Sequence, residues 1–213
     1  MNDALASALG DLRAARTAYD EASRTRQSSA KDDVCHQLVA AQAKAASAAS
    51  GERAVVVSEL PLCDAGAPMP IALADGGSVW LAYFGSAEPF FTQRVVVKVT
   101  GVDSVNFGGL NDEALHGHRL WAKGLVHYSF HEVIGSKWIA TRERENSVHD
   151  YHRPAAFARL RHFVFTFHDE TFECLADDFA VDRAGIDSVL AELSGAPASG
   201  RNHRGKSRAR AVK

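Results

Sequence analysis

Leu5, Leu9, Leu12 and Tyr19 recur at helical spacing among alanines, and Val34, Leu38 and Ala41 begin a second stripe. Alanine loses no side-chain entropy on entering a helix, so residues 2–50 read as helix. The break is at Gln27-Ser28-Ser29-Ala30, where Ser29 followed by Asp32 has the spacing of a helix-start cap. Two helices in a hairpin are expected. Both stripes are thin and alanine-heavy, so the hairpin needs a partner surface, on the core or on a second copy.

After Ser50-Gly51 the pattern changes to that of strands. Residues 53–59, 78–84 and 93–100 are rich in β-branched side chains, and 102–107 continues the third after a kink at Gly101. A Pro/Gly-rich loop separates the first two. Residues 125–134 regain strand character. Residues 137–145 fit either helix or strand, with Trp138 and Ile139 as apolar anchors. Pro154 suits the first turn of a short helix through Leu160.

The strongest hairpin signal spans 162–176. Phe163, Phe165 and Phe167 alternate with His162, Val164, Thr166 and His168, and Phe172, Cys174 and Ala176 recur at spacing two beyond the turn. Side chains alternate across a strand, so one face of this pair is apolar and buried. A helix is expected at about 183–193, capped by Asp182. The succession of strands with short connections predicts an α+β fold. It has alanine-rich N-terminal helices, then a mainly antiparallel sheet, sandwich or half-barrel, then a C-terminal helix. The expected divisions are a helical segment at 1–50, a β-rich core at 51–194 and a disordered basic tail at 195–213.

The 213 residues, 46% of them hydrophobic, suffice for one substantial core. No apolar run has the length of a membrane span. Asp3, Asp11, Arg13 and Asp20 interrupt the start, unlike a secretory leader, so a cytoplasmic location is expected. Cys35, Cys63 and Cys174 are far apart and fit no disulfide framework or thiolate zinc site.

Net charge is −2, but Arg201, Arg204, Lys206, Arg208, Arg210 and Lys213 face no acid in the tail. Without those six, 18 basic residues remain against 26 acids, an acidic body of about −8 beside a tail of about +6. Such a tail suits weak nucleic-acid binding by counterion release. It has no aromatic side chain for stacking bases.

Histidine is the clearest chemical signal. Eight of the ten lie between His116 and His168. On an extended strand His116 and His118 would share a face, with Glu113 as a third ligand or general base. This set suits a divalent transition metal: Zn, Fe or Mn. The His-Gly-His spacing resembles the metal-binding segment of cupins over these few residues. The glutamate expected shortly downstream is absent, with Trp121, Ala122 and Lys123 in its place, and the family is not assigned. His168 and Asp169, at the hairpin turn, join Glu113 as catalytic candidates. Cys174 alternates with Phe172 and reads as a core thiol. No GxSxG, phosphate-loop or dinucleotide-binding motif occurs.

Two functions are therefore expected. The first is a binding or interaction protein with a histidine-rich β domain, whose N-terminal helices pair with a partner or with themselves. The alternative is a metal-dependent hydrolase or oxygenase built on the His-Gly-His site.

Overall fold

A computed structural model describes residues 3–25, 28–66, 70–86 and 94–182. The expected helix at 183–193 and the basic tail lie outside these residues.

The alanine-rich segment forms α1 (Asp3–Thr25) and α2 (Ser28–Ala48). They run antiparallel, with Lys44 Nζ 2.5 Å from Asp11. Leu5, Ala8, Leu9 and Leu12 meet Leu38, Ala45 and Ala49, and the cluster closes on Ile134 of the β region. Small alanine side chains let the helices approach closely but bury little area each. The sheet supplies the missing partner surface.

Among the described residues nine strands make two antiparallel sheets, so the α+β class holds. The five-stranded sheet joins β1 (Arg53–Val56), β6 (Phe130–Ile134), β7 (Arg161–Thr166), β8 (Thr171–Ala176) and β5 (Ser104–Gly108), in that order. The four-stranded sheet joins β2 (Ile71–Ala74), β3 (Ser78–Phe84), β4 (Arg94–Thr100) and β9 (Asp178–Asp182). The expected 162–176 hairpin is β7–β8. Phe163 lies opposite Cys174, and Phe165 opposite Phe172. Their apolar face packs on Val79, Leu81, Val95, Val97 and Val99 of the second sheet.

Residues 102–107 do not prolong β4. At Gly101 (φ +62) the chain leaves the four-stranded sheet, and β5 pairs with β8 instead. A Cβ on Gly101 would collide with the Asp177 carboxylate, so only glycine fits this crossing. β2 lies within the expected loop, and β9 pairs with β4 just after β8. Only 130–134 of the expected 125–134 strand is regular. Thr166 holds Val126 and Ser129 by side-chain hydrogen bonds, and Tyr128 takes φ +53, which bends the approach. Residues 137–146 become helix α3 (Lys137–Asn146), whose start is capped by the Ser136 hydroxyl accepting from the Ile139 N–H. Trp138 and Ile139 are half-buried rather than core anchors. The expected short helix is α4 (Pro154–Ala158).

Period-two alternation divides the five-stranded sheet into two differently covered faces. On one face Phe130 enters the sandwich core, while Ile134, four residues on, enters the helical-hairpin core. Glu132 stands between them on the same face, opposite Phe163. One sheet face thus carries two covering layers, with a charged position where they meet. On the other face, Ala54, Val133 and Val164 are covered by Leu115, Leu120 and Leu125 from the long β5–β6 connection.

Candidate functional site

Three of the charged clusters among the described residues involve buried or closely coupled groups. The first lies at the seam between the helical hairpin and the sandwich. Glu132 receives Arg16 Nη2 at 2.7 Å from α1 and Arg161 Nη2 at 2.8 Å from β7. Burial pushes the Glu132 carboxyl up, but the two guanidiniums outweigh it and hold the group below its usual range. Arg161 also reaches Asp178 at 2.6 Å and lies over the rings of Phe163 and Phe179, at 4.7 and 5.5 Å. Those faces fix its plane. The Nε atoms of Arg16 and Arg161 are both buried without a hydrogen-bond partner.

Two grooves share Arg16 and Arg161 as a common wall. One, of about 550 Å³, is polar, with Arg13, Tyr19, Asp20, Arg159 and Asp177. The other, of about 460 Å³, is mainly apolar, with Leu12, Val39, Ala43, Ile134, Ile139 and Leu160. Both sizes fall in the range of about 300–1,000 Å³ usual for small-molecule sites. Arg159 pairs with Asp177, whereas Arg13 makes no ion pair with a described residue.

The second cluster lies on the opposite sheet face around Glu173, which is buried. His118 Nε2 meets Oε1 at 2.9 Å, His162 Nε2 meets Oε2 at 2.9 Å, and Arg119 donates to both oxygens at 3.0 and 2.7 Å. Burial raises the Glu173 carboxyl, but these donors overcome it and hold the group far below the ordinary carboxylate range. The proton positions follow from the partners. His118 Nδ1 accepts the Leu120 N–H, so its Nε2 carries the hydrogen. His162 Nε2 donates to the carboxylate, which can only accept, and burial disfavours a second proton on the ring, so its Nδ1 accepts from the Ser136 hydroxyl 2.8 Å away. Both imidazoles are neutral donors to the carboxylate, and burial pushes the His162 pKa down. Neither ring keeps a free lone pair for proton abstraction. The cluster anchors the long connection to the sheet.

The third cluster is at the surface. Asp112 accepts from the Tyr128 hydroxyl and from the Glu113 N–H, with His168 Nδ1 at 3.1 Å. The Tyr128 hydrogen bond and the Glu113 N–H hold Asp112 low, and Asp112 in turn raises His168.

The expected site residues separate. His116 lies within a short 3-10 turn, Leu115–Gly117, and His118 follows directly after it, so the pair is not on a strand. Their rings diverge: exposed His116 has Nδ1 2.9 Å from the Glu113 carbonyl, while His118 turns inward to Glu173. Glu113 is exposed and contributes backbone, not carboxylate, to His116. Among the described residues no group of three histidines, cysteines or acids is placed to hold a metal ion. His168 meets Asp112 rather than Glu113, and Asp169 bears on it only through space. Cys174 is fully buried and its thiol is pushed up by burial.

Sequence reading missed Arg16, Glu132, Arg161 and Arg119. The available signal was alternation: Glu132 occupies the Phe130 side of its strand, and Arg161 the Phe163 side. No protein-family model, curated protein or solved structure matches this chain.

Proposed function

We propose that the chain is a binding protein whose ligand lies in the seam between the helical hairpin and the β-sandwich. The observation that carries this reading is the pair of grooves meeting at Arg16 and Arg161, whose guanidiniums share the single carboxylate of Glu132. A concave site with an apolar wall and a few fixed polar groups is the usual form of a small-ligand pocket. Catalysis has less support at the Glu173 cluster: His118 and His162 spend their N–H groups on Glu173 and their other nitrogens as acceptors.

The test is a ligand-observed NMR screen of small carboxylates, phosphates and amines against the protein and two exposed-site variants. Ala43→Trp fills the apolar groove, and Arg13→Glu reverses charge at the polar rim. Hits that weaken in either variant support the seam. Hits indifferent to both contradict it.

A further inference from the structure

Among the described residues each sheet has two edge strands, and an edge presents a row of N–H and C=O groups open to another strand. Three of these four edges are blunted. β1 is four residues long, and Gly124 of the long connection stands against its Ala54 carbonyl. β2 is also four residues long and follows Pro70, which has no N–H to offer. β9 carries Asp178 and Asp182 at its ends. β5 has none of these devices. Its five residues, Ser-Val-Asn-Phe-Gly, include no charge and no proline, and β8 is its one strand neighbour among the described residues.

The side chains of β5 are left open as well. Val105 lies opposite Cys174 and Phe107 opposite Phe172, so both stand on the face that forms the sandwich core. The Phe107 ring meets that of Phe172 at 5.8 Å, yet Phe107 is 39% and Val105 43% exposed. The core therefore ends at β5 with apolar surface facing solvent. Asn106, between them on the other face, is also exposed.

The pattern of β5 indicates which strand fits it. Read outward from Asn106 it is symmetric in character, with apolar Val105 and Phe107 and then small Ser104 and Gly108. An antiparallel copy centred on Asn106 sets Val105 against the partner's Phe107, an aromatic and β-branched pair that suits adjacent strands. It sets Asn106 against the partner's Asn106, and each amide can both donate and accept. One step further out, Asp103 meets the partner's Gly109, so no like charges are opposed. A two-fold contact requires such a self-complementary surface.

We propose that β5 pairs antiparallel with β5 of a second copy of this chain, about a two-fold axis at Asn106, joining two five-stranded sheets into one. Pairing over five residues buries less than the roughly 800 Å² per partner of a standard interface, so the dimer is weak and forms with rising concentration. β5 is at the far side of β8 from β6 and β7, so this contact does not depend on the seam reading.

The experiment is sedimentation equilibrium of the full chain from micromolar to near-millimolar concentration, beside Asn106→Lys, Asn106→Glu and an equimolar mixture of the two variants. Circular dichroism of both variants verifies that they fold. The full chain is expected to dimerise. Each variant alone sets like charges directly across the axis and should weaken dimerisation by about tenfold or more. The mixture sets opposite charges there and should regain it. A full chain that stays monomeric at the highest concentration overturns the proposal and leaves the edge to a strand of another protein. A dimer insensitive to both substitutions also overturns it and moves self-association to another surface, such as the helical hairpin. Dimers lost in both variants and not regained in the mixture overturn it too, because Asn106 is then not at the axis.

Discussion

Arg16 Nη2 on the first helix and Glu132 Oε1 on a central strand stand 2.7 Å apart, so an ion pair links the helical hairpin to the sheet that it covers. Its position follows from alternation along β6, where Glu132 falls between a residue of the sandwich core and one of the hairpin core. A charged side chain at that junction keeps the two layers from merging into one dry interface. It also leaves guanidinium edges along two grooves.

Replacing Glu132 with leucine removes the carboxylate but leaves two largely buried guanidiniums. Breaking such a buried pair costs roughly 3–5 kcal/mol, so Glu132→Leu should lower stability by an amount of that order. Urea unfolding followed by circular dichroism measures it. A loss below about 1 kcal/mol, the usual worth of a surface pair, would show that the group is solvated.

Glu173→Gln tests the anchoring role of the buried cluster. The amide cannot accept from all of His118, His162 and Arg119, so a donor is left unpaired at a cost of about 1–3 kcal/mol. Amide exchange should rise first in residues 112–126, which His118 and Arg119 hold down. Uniform acceleration across the sheet would contradict anchoring of that connection.

Acid sensitivity should come partly from His131. Burial pushes its pKa down to about 4, and its Nε2 already accepts the Val126 N–H at 3.2 Å. Below the unfolded value of about 6.5 the unfolded chain takes up a proton that the folded chain refuses. Stability should therefore fall between pH 6.5 and 4, by up to about 3 kcal/mol from this group. His162, also shifted down, adds to the same slope. Glu173 acts lower: its depressed carboxyl stabilises above the unfolded carboxylate value, and that contribution is lost on further acidification. His131→Gln should flatten the pH 6.5–4 slope of the urea midpoint; an unchanged slope would assign it elsewhere.

Much of the fold was legible because it depends on local periodicity. The alanine-rich hairpin, the phenylalanine hairpin at 162–176 and the antiparallel character all follow from spacing along the chain. The two-sheet division was less legible. It hinges on Gly101, where a turn diverts the chain to another sheet without interrupting the β-branched run by more than a few residues. The His-Gly-His expectation depended on an extended backbone. Leu115 instead buries itself on Val133 and Val164, and that winds the segment into a turn that sends His116 and His118 apart. Arg16 and Glu132 are 116 positions apart in sequence, and no local pattern could pair them.

Gly124 offers a backbone test of how the long connection meets β1. Its φ is +98, and a Cβ there would strike the carbonyl oxygen of Ala54. Gly124→Ala should cost about 1–3 kcal/mol, as for other strained backbone positions. An unchanged thermal midpoint would mean that this approach is not maintained in solution.

The most direct measurement of the seam reading is a backbone amide shift map of the labelled protein titrated with the strongest hit among the small carboxylates, phosphates and amines. The expected shifts cluster at residues 12–19, 39–46, 132–136 and 159–161, around the shared arginine wall. Residues 112–118 and 168–170 should stay unmoved. Shifts concentrated around His116, His118 and His168, with the seam silent, would contradict the account and return the ligand to the histidine-bearing connection.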